Sequence, residues 1–284
     1  WIYFGFRISS SIRRIMLGLG GNIQNDKIPK RAYTSGSTLL DGTNDYLKIP
    51  DGDGFIELIS PANTSWSISF YFMVPGSGGS GSIQLIQKLH SSAAFFWINT
   101  STGGDLTVSA TDFIDGATAS RVNAIWDTNF VKGTWYHVVI TSDRSGTNSD
   151  TLAYINGDVA TRTTHTATAS NGDLIDAGID NTIYTTMGTF NVGAAHIVYY
   201  NFHFDELAAW NSVLTADEIT EIADKYPNLT QNVGDYASSG TLLRYYRMGQ
   251  DTSASAISIE DMSGNGGAPL EGINAPTTST TKPY

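Results

Sequence analysis

From Ser37 to Trp210 the chain is written largely in period two. "WSISFYFMV" (66–74) puts Trp66, Ile68, Phe70 and Phe72 on one face and Ser67, Ser69, Tyr71 and Met73 on the other, the spacing of a strand with one side in a core. "TWYHVVITSD" (134–143) alternates in the same way, with Trp135, His137, Val139 and Thr141 on one face. "IQLIQKL", "AAFFWINT" and "GDLTVSATD" read as further strands, the last two a hairpin joined through Ser101–Gly104. "STLLDGTNDYLKIPD" carries a Gly/Asn/Asp turn between apolar ends. "TLAYINGDVATR" (151–162) turns at Asn156 and Gly157, where positive φ comes without strain. "TFNVGAA" (189–195) is a short strand, and "NFHFDELAAWNSVL" (201–214) begins as a long alternating one.

One stretch changes period. In "LTADEITEIADKY", Thr215 is an N-cap with Glu218 three residues on, a capping box. Ile219 and Ile222 share a face, and Pro227 stops the run. The remainder is short strands spaced by turns, with no tandem repeat. The pattern predicts an all-β antiparallel sandwich or jelly roll with one short helix near 215–226.

Composition narrows this picture. The 284 residues suit one large β domain, alone or with appendages. Charged residues make up 15%, which fits a folded chain. Cysteine is absent, so disulfides, Cys–zinc sites and a Cys nucleophile are excluded, and a bacterial or viral origin is favoured over a small secreted eukaryotic one. No apolar run reaches membrane-spanning length. The net charge of −11 is unevenly placed. Residues 1–31 carry Arg7, Arg13, Arg14, Lys27, Lys30 and Arg31 against Asp26 alone, a local +5. The rest holds ten basic and 26 acidic groups, or −16. Such a body repels nucleic acid and anionic membrane, and the basic arm (1–36) is expected to dock on an acidic partner. The order of "WIYFGFRISSSIRRI" is wrong for a secretory signal, and Met16 is expected as the natural start, with 1–15 upstream of it.

Five segments in order, "LDGTNDYLKIP", "WSISFYF", "GTWYHVVIT", "LAYINGD" and "FHFDELAAWNSVLTADEI", resemble the concanavalin A-like jelly roll of the laminin-G-like and pentraxin-like type, over roughly Leu39 to Tyr226. In that family a Y-W-R-[FM] strand followed by D-x-S-G-N-G usually opens the domain. Here Tyr245, Tyr246, Arg247 and Met248, then Asp261, Ser263, Gly264, Asn265 and Gly266, close it. The expectation is a sandwich over 37–272 in which 241–272 completes the fold by a permuted strand, because first and last strands of a sandwich often lie side by side. Leu242, Tyr245 or Tyr246 would then pack on the strand of Tyr46–Ile49 or its neighbour, and 273–284 would be a tail. The opening "MLGLGG" is similar to that of bacteriophage structural proteins bearing such domains.

The resemblance raises three kinds of chemistry. The family's glycoside hydrolases carry an E-x-D-x-x-E or E-x-D-x-E strand, with acids about 5–5.5 Å apart in retaining enzymes. No such strand occurs, and Asp205–Glu206 and Asp41/Asp45 read as surface and turn acids, so no catalytic residues are assigned. Members often bind calcium at a sandwich edge, which singles out Asp261 and Asn265, and in the 142–150 loop Asp143, Asn148 and Asp150, with an ion-free Asx turn as the alternative. Sugar binding needs aromatic platforms, for which Trp97, Trp126, Tyr184, Tyr199 and Tyr200 are candidates, while Trp66, Trp135 and Trp210 match core positions. His137 and His203 fall on strands as core or groove residues.

The leading expectation is a non-enzymatic virion structural protein on a phage head or tail. It would be held to other virion proteins or to itself by the arm, with a host surface glycan as ligand. The alternative is a secreted, extracellular bacterial carbohydrate-binding or adhesion module, and a glycoside hydrolase comes third. Nucleic-acid binding and membrane insertion are not expected.

Overall fold

A computed structural model describes residues 36–50, 55–56, 64–79, 81–89, 95–114, 117–145, 150–168, 184–192, 195–248 and 258–283. The basic arm and Met16 lie outside the described residues. The first strands are β1 (Ser37–Asp41), β2 (Tyr46–Ile49), β3 (Trp66–Met73), β4 (Ile83–Leu89), β5 (Phe95–Thr100), β6 (Leu106–Ile114) and β7 (Ala117–Asp127). Next come β8 (Tyr136–Asp143), β9 (Asp150–Ile155), β10 (Asp158–Val159), β11 (Thr161–Thr168), β12 (Thr185–Met187), β13 (Thr189–Val192), β14 (Ala195–Tyr199) and β15 (Asn201–Trp210). Helix α1 (Ala216–Lys225) precedes β16 (Leu242–Tyr246), β17 (Ser258–Ile259), β18 (Leu270–Ile273) and β19 (Thr277–Ser279).

The strands form two antiparallel sheets and a separate hairpin. The first sheet runs β10-β9-β8-β3-β15-β1-β19, with β16 also on β15. The second runs β11-β7-β6-β5-β4-β12-β2-β18-β17, and β13 pairs with β14 alone. Period two decides which side chains meet between the sheets. Trp66, Ile68, Phe70 and Phe72 of β3 join Phe96 and Ile98 of β5 and Leu106 and Val108 of β6 in one buried cluster. Trp66 meets Phe96 edge-on across the sandwich at 6.0 Å, and Phe70 stacks on Phe204 at 5.4 Å, geometries that add to area burial. The hairpin β9–β10 turns on Asn156 (φ 54°) and Gly157 (φ 92°), both central residues at the positive φ that matches strand twist.

The outer face of the first sheet is covered. Thr215 and Glu218 close the expected capping box, with Thr215 N donating to Glu218 Oε2 (2.9 Å) and Glu218 N to Thr215 Oγ1 (3.3 Å). The helix then lays Ile219 and Ile222 on Val139, Tyr154, Ala208 and Trp210. Trp210 is fully buried, and its indole N–H donates to Tyr236 Oη at 3.0 Å. Leu207 lies in the inner core, on the opposite side of β15. Trp135 is not a core residue as expected. It is partly exposed beside His203, ring centroids 5.8 Å apart.

The C-terminal segment enters both sheets. β16 pairs with β15, Tyr246 opposite Leu207 and Tyr245 opposite Ala208, on the side of β15 whose other half holds β1. The expected seat against Tyr46–Ile49 is instead occupied by β18, with Gly272 opposite Leu47. The stretch expected as a tail contains β19, which pairs with β1. Deleting residues 242–284 should therefore remove partners from β1, β2 and β15 together and yield insoluble protein. A soluble product that melts cooperatively in calorimetry would show the segment to be dispensable.

Candidate functional site

α1 and the 211–241 segment cover the first sheet; on the outer face of the second, Trp97, Asn99, Thr107, Asn123 and Ile125 are partly exposed while Gln84, Gln87 and Ser109 are buried. Because Phe96, Ile98, Leu106, Val108, Ala124 and Trp126 point into the core, their alternates Trp97, Asn99, Thr107, Ser109, Asn123 and Ile125 point away from it. Trp97 lies opposite Gln87 on β4 and Ser109 on β6, and Ser109 lies opposite Asn123 on β7. Asn99 is flanked by Gln84 and Thr107. The result is a partly exposed indole in a field of amides and hydroxyls.

The hairpin β13–β14 stands on this face as a wall. Gly188 (φ 83°) lets the chain leave β12 for the hairpin; a Cβ there would sit 2.1 Å from Leu40 Cδ1. The buried Gln87 holds the wall down, its Nε2 donating to Asn191 O and Asn191 Oδ1, both at 2.7 Å. Gln87 Oε1 and Asn99 Oδ1 are buried acceptors without hydrogen-bond partners. On the far side of the wall, His196 stacks on Tyr46 at 4.2 Å, with Tyr199 6.3 Å from Tyr46. Burial lowers the pKa of His196 and raises that of Tyr46.

The five aromatics singled out in the sequence are thus dispersed. Trp97 is on the open face. Trp126 is fully buried in the core and cannot be a platform, a correction that follows from its parity with Ala124 on β7. Tyr184 is exposed, with Lys48 Nζ 4.5 Å from its ring centroid, and belongs with Tyr199 to the cluster beyond the wall. Tyr200 packs against the inner core. The residues that surround Trp97 were legible only through parity: once Phe96 and Ile98 are inward, Trp97 and Asn99 must be outward.

Of the expected calcium ligands, Asp261 is surrounded in this structure by hydrogen-bond donors. Asp261 Oδ1 accepts from Tyr245 N and Ser263 N, both at 2.9 Å, while Oδ2 accepts from Ser263 Oγ (2.8 Å) and Gly267 N (3.0 Å). The Arg244 guanidinium stands 3.8 Å away. Donors already fill the lone pairs that an ion would need. Asn265 uses its Nδ2 on Leu242 O at 2.7 Å. Asp143 accepts from Ser65 Oγ and Ser145 N, and Asp150 pairs with Arg162 at 2.7 Å. Asn148 lies outside the described residues. Among the described residues no group of three or more His, Asp or Glu side chains gathers.

The acids read as surface groups at Asp205 and Glu206 are buried. Glu206 accepts from Tyr245 Oη and from Arg247 Nε (3.0 Å). Burial, and then the adjacent Glu206 charge, push the Asp205 carboxyl well above the usual range. His137 is sealed under the same side of the first sheet, sharing a hydrogen bond with Ser69 Oγ at 2.8 Å and stacked on Tyr71 at 4.3 Å. Its Nδ1 has no hydrogen-bond partner, and burial lowers its pKa to about 3. These groups organise the sandwich and do not reach the open face.

Comparison with known proteins agrees with this architecture. A family model described as the concanavalin A-like lectin/glucanases superfamily matches residues 41–220, and the chain belongs to that superfamily. No curated protein matches by sequence. Among solved structures, a provisionally assigned carbohydrate-binding protein from Bacteroides ovatus is similar at a TM-score of 0.54 and 15% identity, over 87% of this chain and 60% of that one. The chain therefore spans less than two thirds of that protein. A heptameric SAP-like pentraxin from Limulus polyphemus is similar at a TM-score of 0.47 and 12% identity, over 88% of this chain and 98% of that one. The CBM40 of a Ruminococcus gnavus IT-sialidase, bound to α2,3-sialyllactose, is similar at 0.43 and 9%, over 66% and 96%.

Two measurements check the site chemistry. Asp261→Ala should cost on the order of 3 kcal/mol through its lost hydrogen bonds, and a chelator should leave the melting temperature of the wild type unchanged. A fall in melting temperature with chelator, reversed by calcium, would contradict the donor reading. For His137 the neutral form is native, whereas the unfolded imidazole titrates near 6.5. The unfolded chain therefore binds the extra proton, and stability present above 6.5 is lost as pH falls toward 3. From about pH 7.5 to about pH 5.5 the wild type should lose about 1.4 kcal/mol relative to His137→Gln. Parallel stability profiles would show that His137 is not sealed.

Proposed function

We propose that the protein is a non-catalytic carbohydrate-binding module of the secreted bacterial kind, and that it holds glycan on the outer face of the second sheet. The observation that supports this most is the placement of Trp97. A partly exposed indole on a rigid strand offers a flat apolar surface for a pyranose ring, and Asn99, Thr107, Ser109 and Asn123 around it both donate and accept hydrogen bonds, as hydroxyls require. The hairpin wall, fixed through Gln87 and Asn191, bounds the face on one side.

Binding is favoured over hydrolysis by the same face. Glycosidic cleavage by the usual route uses two carboxyl groups flanking the bond, and around Trp97 the outward positions Asn99, Thr107, Ser109, Asn123 and Ile125 offer amides, hydroxyls and an isoleucine, with one carboxylate, Asp127, at the end of β7. The family contains both lectins and glucanases, and the Bacteroides ovatus protein that shares the fold is itself assigned, provisionally, to carbohydrate binding. The virion reading rests on "MLGLGG" and on Arg7, Arg13, Arg14, Lys27, Lys30 and Arg31, all outside the described residues, and neither the fold nor the family favours it. Extracellular location is part of the proposal.

Trp97→Ala should weaken binding to a captured glycan by at least about tenfold, about 1.4 kcal/mol. Its melting temperature should stay close to that of the wild type, since the ring is not in the core. Trp97→Phe should retain part of the affinity. Unchanged affinity in Trp97→Ala would move the site off this face.

A further inference from the structure

We infer that the C-terminal segment is latched to β15 by one proton retained on two adjacent buried acids, Asp205 and Glu206, and that loss of this proton as pH rises loosens β16 from the first sheet. The site is dry and crowded with negative charge. Asp205 is 2% and Glu206 8% exposed, and Glu206 N donates to Asp205 Oδ1 at 2.9 Å. Arg247 acts on both carboxyls but is engaged on Glu206, its Nε donating to Oε1 at 3.0 Å. Tyr245 Oη donates to Glu206 Oε2. Asp205 receives two main-chain donors, the N–H of Glu206 and the N–H of Met248 in the C-terminal segment. Glu206, with the guanidinium and the phenol, is therefore the ionised member, and Asp205 holds the proton.

The groups around Asp205 supply no second cation among the described residues. Tyr71 lies opposite it on β3, and the Tyr71 hydroxyl donates to Ile222 O at 3.4 Å. His137 of β8 stacks on Tyr71 and is kept neutral by burial. His203, two residues earlier on β15, shares a hydrogen bond with Ser37 Oγ through Nδ1, and burial disfavours its charged form too. On β16, Arg244 stands 3.8 Å from Asp261. Two neighbouring carboxylates cannot both stay ionised where water does not reach and one guanidinium serves them. Burial first, then the Glu206 charge, lift the Asp205 carboxyl well above its ordinary range, against the pull of Arg247 and the two N–H groups. Burial lifts Glu206 as well, but Arg247 and Tyr245 draw it back. The unfolded Asp205 carboxyl titrates near 3.8, the folded one well above it. Between those values the folded chain keeps a proton that the unfolded chain has lost. The stability contributed is full below 3.8 and is lost as pH rises through the folded value. The charge then appears beside Tyr245, Arg247 and Met248, where β16 ends.

The test compares the full chain with Asp205→Asn, which keeps the shape and an acceptor oxygen of the neutral acid and cannot ionise. Both proteins retain His137, so its titration cancels. From about pH 5 to about pH 8 the wild type should lose stability in urea relative to the variant, approaching tenfold in the folding equilibrium constant per pH unit until the folded carboxyl ionises. Amide-exchange protection of residues 242–248 should fall with pH more steeply than that of β3 in the wild type, and in step with it in the variant. The side-chain carboxyl carbon shift of Asp205 in the wild type, which needs no variant, should be that of a neutral acid at about pH 6. Parallel stability profiles, or the shift of an ionised Asp205 at that pH, would overturn the inference. Protection at 242–248 that tracks β3 at every pH in the wild type would overturn the latch. If Asp205→Asn does not fold, the carbon shift and the wild-type exchange decide.

Discussion

The sandwich depends on what happens at Glu206. β15 is a central strand of ten residues, and strands from the two ends of the chain share one of its sides. β1 pairs along residues 201–204, and β16 pairs along 207–210. Between them Glu206 takes a positive φ of 51° and the register slips, a bulge that re-aims the strand. Downstream, Leu207 and Ala209 turn into the inner core while Ala208 and Trp210 turn out toward α1. The buried carboxylate is held by Tyr245 and Arg247, both contributed by the C-terminal segment. A buried ion pair is a weak source of stability but a strong selector of register. Here it selects where β16 stops and β1 begins.

That junction shows how strands far apart in the chain, β1 and β16, come to share one edge of β15. The slot beside β15 is shared, and the chain end that supplies each half is immaterial to the ladder. It also explains the asymmetry on which function rests. Once Trp210 and Ala208 point outward they need cover, and α1 with the 211–241 segment provides it. The first sheet is then closed on both faces. The second keeps part of its outer face, around Trp97 and Asn123, partly exposed, beside a hairpin that Gln87 fastens and Gly188 releases from β12. A polar strip around one partly exposed indole, Trp97, is what remains.

Much of this was legible in the sequence where alternation was clean. β3, β8, β15, the Asn156–Gly157 turn and the Thr215 capping box follow from spacing and local chemistry alone. Trp126 was not legible, because Ile125 beside it blurs the alternation of Ala124 and Trp126 on β7, so an indole in the core looked like one in a loop. The 261–267 loop is ambiguous in sequence for a different reason. Calcium loops and Asx turns use the same residues, and the difference lies in whether carbonyls or N–H groups face the carboxylate. At Asp261 they are N–H groups, with Ser263 Oγ and Arg244 beside them. Asp205 and Glu206 appeared to be surface acids because nothing local announces Arg247 and Tyr245, some forty residues away along the chain.

The central claim is that ligand chemistry belongs to the outer face of the second sheet. Backbone amide chemical-shift mapping of the full chain, titrated to saturation with a neutral oligosaccharide, tests it most directly. The account predicts perturbations concentrated in β5, β6 and β7 around Trp97, Ser109 and Asn123, extending to Gln87 and Asn191 at the wall. Perturbations centred instead on α1, on the 261–267 loop or on the Tyr46–His196 cluster, with β5 to β7 silent, would contradict it.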